Sequence, residues 1–317
     1  MGVPYLNRFL KQNTKNGMNR VSLSKYRGCK IAVDTSIYMY RFMSENLFVE
    51  NFYLMMTLFI KYEITPVFIF DGIPPQEKKA EIEMRYARKE RAFEEYNRKM
   101  TEYEDATGNR RRALKKELDN LKRQFIRVEK DDIQTVKNLI QAYGLSYFTA
   151  TGEADVVCAG LMREGLVDAC MSDDMDLFVY GCSKVLRYLS ILNSTVIEYD
   201  LDTILSDLDV SFDGFKQICV ISGTDYNKSD TSKDIIDEIY LSYKSYVKDN
   251  TDSDKDFYTW VTNTNLIDKT YNQLVATEDL FDLDNYDEEI KNISIFNSIV
   301  NSNTLQNILL QHGFIFM

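Results

Sequence analysis

Short apolar runs that end in acidic residues recur along the chain. The run KIAVD ends at Asp34, TPVFIFDG reaches Asp71, and VDACMSDDMD leads to Asp174 and Asp176. Apolar runs of this length, bounded by Gly, Pro or acidic residues, predict buried β-strands. A fourth short strand is predicted around 145–148.

Segments with helical periodicity separate these strands. Aromatic and aliphatic residues recur at helical spacing in 36–62. Further helices are predicted for 130–143, closed by Gly144, and from the end of TATGEAD to about 164, closed by Gly165. Strands that alternate with helices predict an α/β protein with a mostly parallel central sheet that is covered by helices on both faces. Ligands bind beyond the carboxyl ends of the strands in such sheets, so the strand-end acids are expected at one ligand-binding edge.

The segment 77–130 differs from its surroundings in charge. It carries 17 Lys and Arg against 12 Asp and Glu, a local net charge of +5 that leaves −16 for the rest of a chain whose total is −11. Its polar break at 107–109 predicts two helices joined by a tip. A basic segment on an acidic body can bind a phosphate backbone through its own field. The alternative is a solvated helical hairpin with mixed charges.

Beyond Asp225 the composition of the chain changes. No glycine occurs from Thr224 to His312, and the apolar residues form helical patches such as IIDEIYLSY. These features predict two parts, a core of 1–226 that includes the 77–130 insertion, and a small helical C-terminal extension of 227–317.

Neither a membrane span nor a signal peptide is expected, because no apolar run approaches about 20 residues and the first residues lack the basic-then-apolar order. The five cysteines are odd in number and form no C-x-x-C pair, which favours free, buried thiols in a reducing compartment over disulfides or zinc. The expected location is intracellular.

Acidic residues dominate the candidate chemistry, since the chain holds a single histidine, His312. Buried carboxylates that face one another need a compensating cation. An all-oxygen set suits hard ions such as Mg²⁺ or Mn²⁺, whereas zinc prefers His or Cys. Seven acids lie where apolar runs end or helices begin: Asp34, Asp71, Glu153, Asp155, Asp174, Asp176 and Asp225.

Taken singly, each of these acids could be a turn former or a helix cap. Glu153 and Asp155 lie two residues apart at a predicted helix start, where capping explains one acid but not both. Asp174 and Asp176 flank Met175, and an extended segment would point both carboxylates to one side. Asp173 would then face away as a turn or surface acid.

Together, the motifs resemble the flap endonuclease family, the XPG-type structure-specific 5′ nucleases, from Met1 to about Tyr226. The motifs occur in the order and approximate spacing of that family. The overall character of the sequence is most similar to members from large DNA viruses. They are MGVPYLNRFL, VDTSIYMYRF, VFIFDGIPPQEKK, GEAD, SDDMDLFVYG and SGTDYN. The resemblance implies a PIN-like nuclease core with a helical arch formed by 77–130.

The same resemblance implies roles for individual residues. The seven acids match the metal-site acids of the family, although the family commonly has Glu at the position of Asp155. Lys78 and Arg85 match a basic pair at the foot of the arch, with catalytic roles alongside Asp34, Asp71, Asp174 and Asp176. Arg88, Tyr40 and Gly2 match positions that contact the substrate strand. The alternatives are that Lys78, Arg85 and Arg88 are surface charges paired with Glu77 and Glu81, and that Tyr40 belongs to the core.

The sequence departs from the family after its last acid. The family has a glycine-rich turn there that binds a monovalent cation and duplex phosphates, and NKSDTSKDIIDEIYLSYKSY has no glycine. Backbone groups approach an ion less closely without glycine, which argues against a K⁺ site. Duplex binding would then either rely on Lys228, Lys233 and Lys244 or be weaker. The family's sliding-clamp peptide is not recognisable near Gln306.

These inferences lead to one main hypothesis and two alternatives. The main one is a 5′ flap endonuclease or 5′-3′ exonuclease that uses two Mg²⁺ ions, or Mn²⁺ as a substitute, on DNA near single-strand/duplex junctions. It would work in the nucleus, or at a cytoplasmic replication site if the chain is viral. The alternatives are a 5′-3′ exonuclease acting mainly on RNA and a non-catalytic nucleic-acid scaffold with the same fold.

Overall fold

The computed structural model describes residues 2–227, 235–249, 256–264 and 266–316. Its centre is one sheet of seven strands in the order β1-β7-β6-β5-β2-β3-β4. The strands are β1 (Met18–Ser22), β2 (Lys30–Asp34), β3 (Thr65–Phe70), β4 (Ser146–Thr149), β5 (Ala169–Met171), β6 (Lys184–Ser190) and β7 (Thr195–Asp200).

Helices connect and flank these strands. The helices that precede residue 227 are α1 (Leu6–Asn13), α2 (Thr35–Ser44), α3 (Phe48–Lys61), α4 (Lys79–Asp105), α5 (Gly108–Gln124), α6 (Lys130–Ala142), α7 (Ala154–Arg163), α8 (Asp176–Val179), α9 (Leu201–Leu208) and α10 (Phe212–Ser222). Later helices are α11 (Ile235–Asp249), α12 (Phe257–Thr262), α13 (Tyr271–Asp279), α14 (Asp287–Lys291) and α15 (Ser302–Gln311). Short 3-10 helices occur at Leu23–Tyr26, Gln76–Lys78 and Asp284–Tyr286.

The strand pairing confirms the predicted fold class. Four pairs of neighbouring strands are parallel, and only the two pairs that involve β7 are antiparallel. Alternate residues of β2 face opposite cores, with Ala32 in one hydrophobic cluster and Ile31 and Val33 in the other. Both faces of the sheet are therefore buried, which explains the continuous apolar runs of its central strands.

The inserted hairpin of α4 and α5 follows β3 and has little apolar surface of its own. Its two helices meet through a short apolar seam that includes Ala92 and Leu114. At its base the Phe125 ring packs edge-on against the rings of Phe93 and Tyr96. The remaining positions are mostly charged and exposed, as the sequence predicts for two helices broken near 107.

The segment 36–62 forms two helices rather than one continuous helix. Helix α2 ends because Asn46 adopts a left-handed backbone conformation (φ 54°), which Asn tolerates better than most residues. The N–H of Leu47 then donates to the Phe42 carbonyl at 3.2 Å, a bond that closes the helix before α3 starts. Periodicity alone does not indicate this break.

The helices after residue 227 pack onto the same hydrophobic core as the sheet. Ile236 of α11, Phe257 of α12 and Leu274 of α13 belong to the cluster that covers one sheet face, while Leu309 of α15 joins the other. The proposed boundary at 226/227 remains a prediction. None of the described helices is both long and apolar enough to cross a membrane.

Candidate active site

Six of the seven predicted acids line one cavity of about 200 Å³ at the carboxyl edge of the parallel strands. Strand β2 ends at Asp34 and β3 is followed by Asp71, so two neighbouring strands deliver their acids to the same place. Asp174 arrives from the loop after β5, the other neighbour of β2. The seventh acid, Asp176, is buried directly behind Asp174, whose Oδ1 accepts its N–H at 3.1 Å.

The start of α7 is capped by an acid from another strand. Oδ1 of Asp71 accepts the backbone N–H of Ala154 at 2.9 Å. Glu153 occupies the N-cap position, but its side chain makes no capping bond. The Glu153 carboxylate therefore lines the cavity without capping α7, whereas Oδ1 of Asp155 accepts the N–H of Val156 in the first turn at 2.8 Å, as expected for one of the two acids.

The carboxylate of Glu153 has two partners. Nζ of Lys78 donates to Oε1 at 2.7 Å, and the hydroxyl of Tyr226 donates to Oε2 at 2.8 Å. The ammonium of Lys78 also lies 4.8 Å from the centre of the Tyr226 ring. Burial alone would lower the pKa of Lys78, but the charges of Asp155 and Glu153 raise it above its usual value. Lys78 is a buried cation of this site and not a surface charge.

Arg85 spans two acids about two helical turns beyond Lys78. Its Nε donates to Oε1 of Glu81 at 2.5 Å, and its NH2 group donates to Oδ2 of Asp225 at 2.8 Å. The pairing with Glu81 that the sequence offered as an alternative therefore exists alongside a contact to a predicted metal ligand. Arg88 lies three residues further along α4, is exposed, and does not line this cavity.

For three of the acids, the charged form is unfavourable in the absence of a cation. Burial and the charge of Asp71 raise the pKa of Asp34, and burial raises the pKa of Asp155 to about 8 against the opposing effect of Lys78. Asp176 has no exposed surface, and neither of its carboxylate oxygens has a hydrogen-bond partner in the described part of the chain. Burial and the charge of Asp174 raise its pKa as well. Such a group must take up a proton or a cation.

The acid side chains do not surround one point. No group of three or more Asp, Glu, His or Cys side chains among the described residues is arranged as it would be around a metal ion. Glu153 and Asp225 are turned towards Lys78 and Arg85, which accounts for part of this arrangement. The donor set itself, carboxylates with one unpartnered member, fits a hard divalent cation.

The acids of the loop after β5 are not on an extended segment, contrary to the sequence prediction. Met175 has helical backbone angles, and α8 begins at Asp176. The side chain of Ser172 accepts the N–H of Asp174 at 3.0 Å, and Asp174 accepts that of Asp176, so local side-chain acceptors bend the loop. Asp173 does not line the acid cavity, and its Oδ1 accepts the N–H of Tyr188 at 2.8 Å.

Gly2 and Tyr40 both lie beside the acids. A Cβ atom on Gly2, whose φ is +75°, would lie 2.4 Å from Oδ1 of Asp174 and 2.6 Å from Oδ1 of Asp176, so only glycine fits there. Tyr40 is half exposed, lines the cavity, and has the Nζ of Lys89 4.7 Å from its ring centre. It is therefore not a core residue.

Two residues that contact the acids were not singled out from the sequence. Ser172 donates to Oδ2 of Asp34 at 2.8 Å, and Tyr226 joins Glu153 to the hydroxyl of Tyr180, 3.0 Å away. Both lie inside motifs that carry the acids, SDDMD and SGTDYN. Polar residues adjacent to the acids within these motifs were the available signal.

Comparison with known proteins agrees with this architecture. The XPG N-terminal domain family matches residues 1–92, and the XPG I-region matches residues 144–225. The chain is 30% identical over 243 residues to flap endonuclease 1 of Encephalitozoon cuniculi, covering 71% of this chain and 68% of that protein. It is 28% identical over 245 residues to flap endonuclease 1 of Glycine max, covering 71% and 62%. The chain therefore belongs to the XPG-type flap endonuclease family.

Solved structures share the fold over nearly the whole chain. The catalytic core of Rad2 in complex with a DNA substrate superposes with a TM-score of 0.66 at 21% identity, covering 98% of this chain and 94% of that one. Flap endonuclease-1 from Methanococcus jannaschii gives a TM-score of 0.61 at 18% identity, covering 93% and 90%. The PIN-like nuclease fold is thus confirmed. The chain spans less than two thirds of the Glycine max relative, and the resemblance to viral members stays a prediction.

Proposed function

We propose that this protein is a divalent-metal-dependent, structure-specific 5′ nuclease that hydrolyses DNA phosphodiester bonds near single-strand/duplex junctions. The observation that carries the proposal is Asp176, a fully buried carboxylate with two unpartnered oxygens behind a cavity lined by six further acids. A site that only stabilised the fold would not retain such a group uncompensated. Family membership and the two cations within the same cavity support the same conclusion.

The acids would hold two Mg²⁺ ions, with Mn²⁺ as a substitute. Asp34, Asp71, Glu153 and Asp155 would hold one, and Asp174, Asp176 and Asp225 the other. Bound divalent ions would supply an activated water and would neutralise charge on the leaving oxygen. Glu153 and Asp225 would contribute by turning away from Lys78 and Arg85, which would release Lys78 and leave Arg85 paired with Glu81 alone.

Lys78 and Arg85 would bind the phosphate at which the bond breaks. Their positive charges already line the acid cavity, where the Lys78 side chain is largely buried and that of Arg85 is partly exposed. Electrostatic interactions strengthen where water is excluded, which applies most to Lys78. The ring of Tyr226 under Lys78 limits the directions that its side chain can take. Once released from Glu153, the ammonium would therefore face the reacting phosphate with little reorganisation.

The α4–α5 hairpin would admit the single strand. A cavity between the hairpin and the core is lined by Tyr40, Arg85, Lys89 and Arg127. Burial and the nearby charges of Arg127 and Arg85 lower the pKa of Lys89, whose Nζ donates to the Ile126 carbonyl at 2.9 Å and not to an acid of the described residues. Phosphate and stacking contacts of this kind are indifferent to base sequence, so recognition would follow DNA structure.

The duplex would be held by residues beyond the acids. Of the three lysines predicted for this role, Lys228 and Lys233 lie outside the described residues. Lys244 donates to the carbonyl and carboxylate of Asp209. This pairing leaves Lys244 less suited to phosphate binding. The argument against a K⁺ site rests on the missing glycine turn and remains a prediction.

A substrate panel tests the proposal. Labelled 5′-flap DNA, nicked duplex and single-stranded RNA are incubated with Mg²⁺, with the Asp176→Ala variant as control. The proposal is supported if the wild-type protein cleaves the flap at the junction and the Asp176→Ala variant does not. Preferential degradation of RNA would favour the exonuclease alternative, and tight binding without cleavage of any substrate would favour the scaffold.

The five free cysteines support a reducing intracellular location.

A further inference from the structure

A buried arginine lies directly beneath the loop that carries Asp174 and Asp176. Arg187 belongs to β6 and is 4% exposed. Its guanidinium donates to the Asp173 carbonyl at 2.7 Å and to the sulfur of Met175. The rings of Tyr188 and Tyr199 lie 4.8 and 5.3 Å from the guanidinium carbon and enclose it. Arg187 thus reaches the residues on either side of Asp174.

The backbone of β6 reinforces this contact. The register of β6 against β7 is irregular between Arg187 and Ser190, and Tyr188 adopts a left-handed conformation (φ 55°). That conformation directs the Tyr188 N–H at Oδ1 of Asp173. β-Bulges of this kind are common beside active sites because they re-aim a side chain. Asp173 is therefore held through both its carbonyl and its carboxylate.

The held residues control the directions of the two carboxylates. Asp174 lies between the two contact points of Arg187, and Asp176 follows Met175 directly. The loop is fixed on its other side by Ser172, which bonds Asp34. A rotation of the backbone at Met175 would move Asp174 and Asp176 relative to Asp34, which is anchored on β2.

The energetics of Arg187 argue against a purely stabilising role. Its guanidinium donates to two neutral acceptors, the Asp173 carbonyl and the Met175 sulfur, and its Nε has no partner among the described residues. Burying a charged group with incomplete hydrogen bonding is unfavourable, and an apolar side chain of similar volume is often neutral or stabilising at such a position. A planar, forked donor is suited instead to fixing two acceptors at once.

We propose that Arg187 is a positioning residue for Asp174 and Asp176. By holding Asp173 and Met175 it keeps the two carboxylates in the orientation in which they bind a divalent ion, so it sets metal affinity without touching metal or DNA. This inference rests on the proposed function, since it assigns the same acids to metal binding.

The test compares Arg187→Met and Arg187→Lys with the wild-type chain in the absence of DNA. Mn²⁺ affinity is measured by titration, and melting temperature is measured without metal. We expect Arg187→Met to lower Mn²⁺ affinity by about 10- to 100-fold, the usual effect of removing a residue that orients a ligand. Arg187→Lys, which keeps the charge but not the fork, should lie between. The Mg²⁺ concentration for half-maximal cleavage should rise from the wild-type chain to Arg187→Lys and further to Arg187→Met.

Lys25→Met is the matched control, because Lys25 bonds the buried Glu198 on β7, away from the acids. It should change the melting temperature and leave Mn²⁺ affinity within about 2-fold. A lower melting temperature of Arg187→Met with unchanged Mn²⁺ affinity would overturn the inference and leave the proposed function intact. A wild-type chain that neither binds Mn²⁺ nor cleaves flap DNA would overturn both.

Discussion

Lys78 and Glu153 are 75 residues apart in the chain, yet Nζ of one lies 2.7 Å from Oε1 of the other. Both side chains are largely buried, so the pair is shielded from water and salt. Removing one partner of a buried ion pair leaves the other uncompensated, which is strongly unfavourable. The contact therefore couples the base of the α4–α5 hairpin to the acids at the start of α7.

Lys78→Met should reduce the cleavage rate far more than substrate binding. The ammonium that would neutralise charge on the reacting phosphate is lost, so we expect kcat to fall by about 10²- to 10³-fold. The dissociation constant for flap DNA in Ca²⁺ should change by less than about 5-fold, because many other phosphate contacts remain. Single-turnover cleavage and a separate binding titration measure the two effects.

Lys79→Met supplies the control for this prediction, since Lys79 is the next residue and is exposed. It removes the same charge from the same 3-10 helix boundary without touching the acids. Equal losses in the two variants would mean that Lys78 acts only through the general field of the hairpin base.

Tyr226→Phe should weaken the placement of Lys78. The variant keeps the ring under the ammonium but loses the hydroxyl that bonds Glu153 and Tyr180. We expect a fall in kcat of about 3- to 10-fold, the effect of losing roughly one hydrogen bond. Tyr240→Phe, which loses a bond to the Leu208 carbonyl instead, should leave kcat unchanged. An unaltered cleavage rate for Tyr226→Phe would mean that the hydroxyl does not contribute to cleavage.

The metal-free protein should become less stable as pH rises from about 5 to about 8. A carboxyl whose pKa is raised by folding binds more protons in the folded state, so the free energy of unfolding falls with pH between its unfolded and folded pKa values. For Asp155 that window runs from the usual value, about 3.9, to about 8. Asp34 and Asp176 act in the same direction.

Melting curves recorded across this pH range without metal measure how steeply stability falls with pH. Asp155→Asn should reduce it, because one of the contributing carboxyls is removed. Millimolar Mg²⁺ should reduce it too, since a bound cation replaces the protons. A melting temperature that rises steadily with pH in the metal-free protein contradicts the assignment of raised pKa values to these acids.

The placement of the acids was predictable because it follows from backbone geometry. Asp34 and Asp71 end apolar runs, and parallel strands bring such ends to one edge whatever the rest of the chain does. The helical hairpin was predictable for a similar reason, since its charge pattern and its break at 107 are local. Local patterns of this kind need no knowledge of distant contacts.

The directions of the side chains were not predictable from the same patterns. Glu153 bonds Lys78 rather than capping α7, because Asp71 from another strand takes the capping role. The bend at Met175 depends on Ser172 and on the fixed position of Asp173 against β6. Apart from the local bond between Ser172 and Asp174, these contacts join residues whose proximity is set by the folded sheet, so spacing along the sequence does not encode them.

Asp176→Asn should separate metal binding from folding. An amide of the same size removes a buried, unpartnered carboxylate, so we expect the metal-free melting temperature to stay the same or rise. In the wild-type protein, Mg²⁺ at about 100 times its dissociation constant should stabilise the fold by about 2.7 kcal/mol, and the variant should lose most of this increment. Asp202→Asn, at an exposed acid of α9, should retain it in full. A lower metal-free melting temperature for Asp176→Asn, with the Mg²⁺ increment preserved, would make Asp176 a structural residue instead of a ligand.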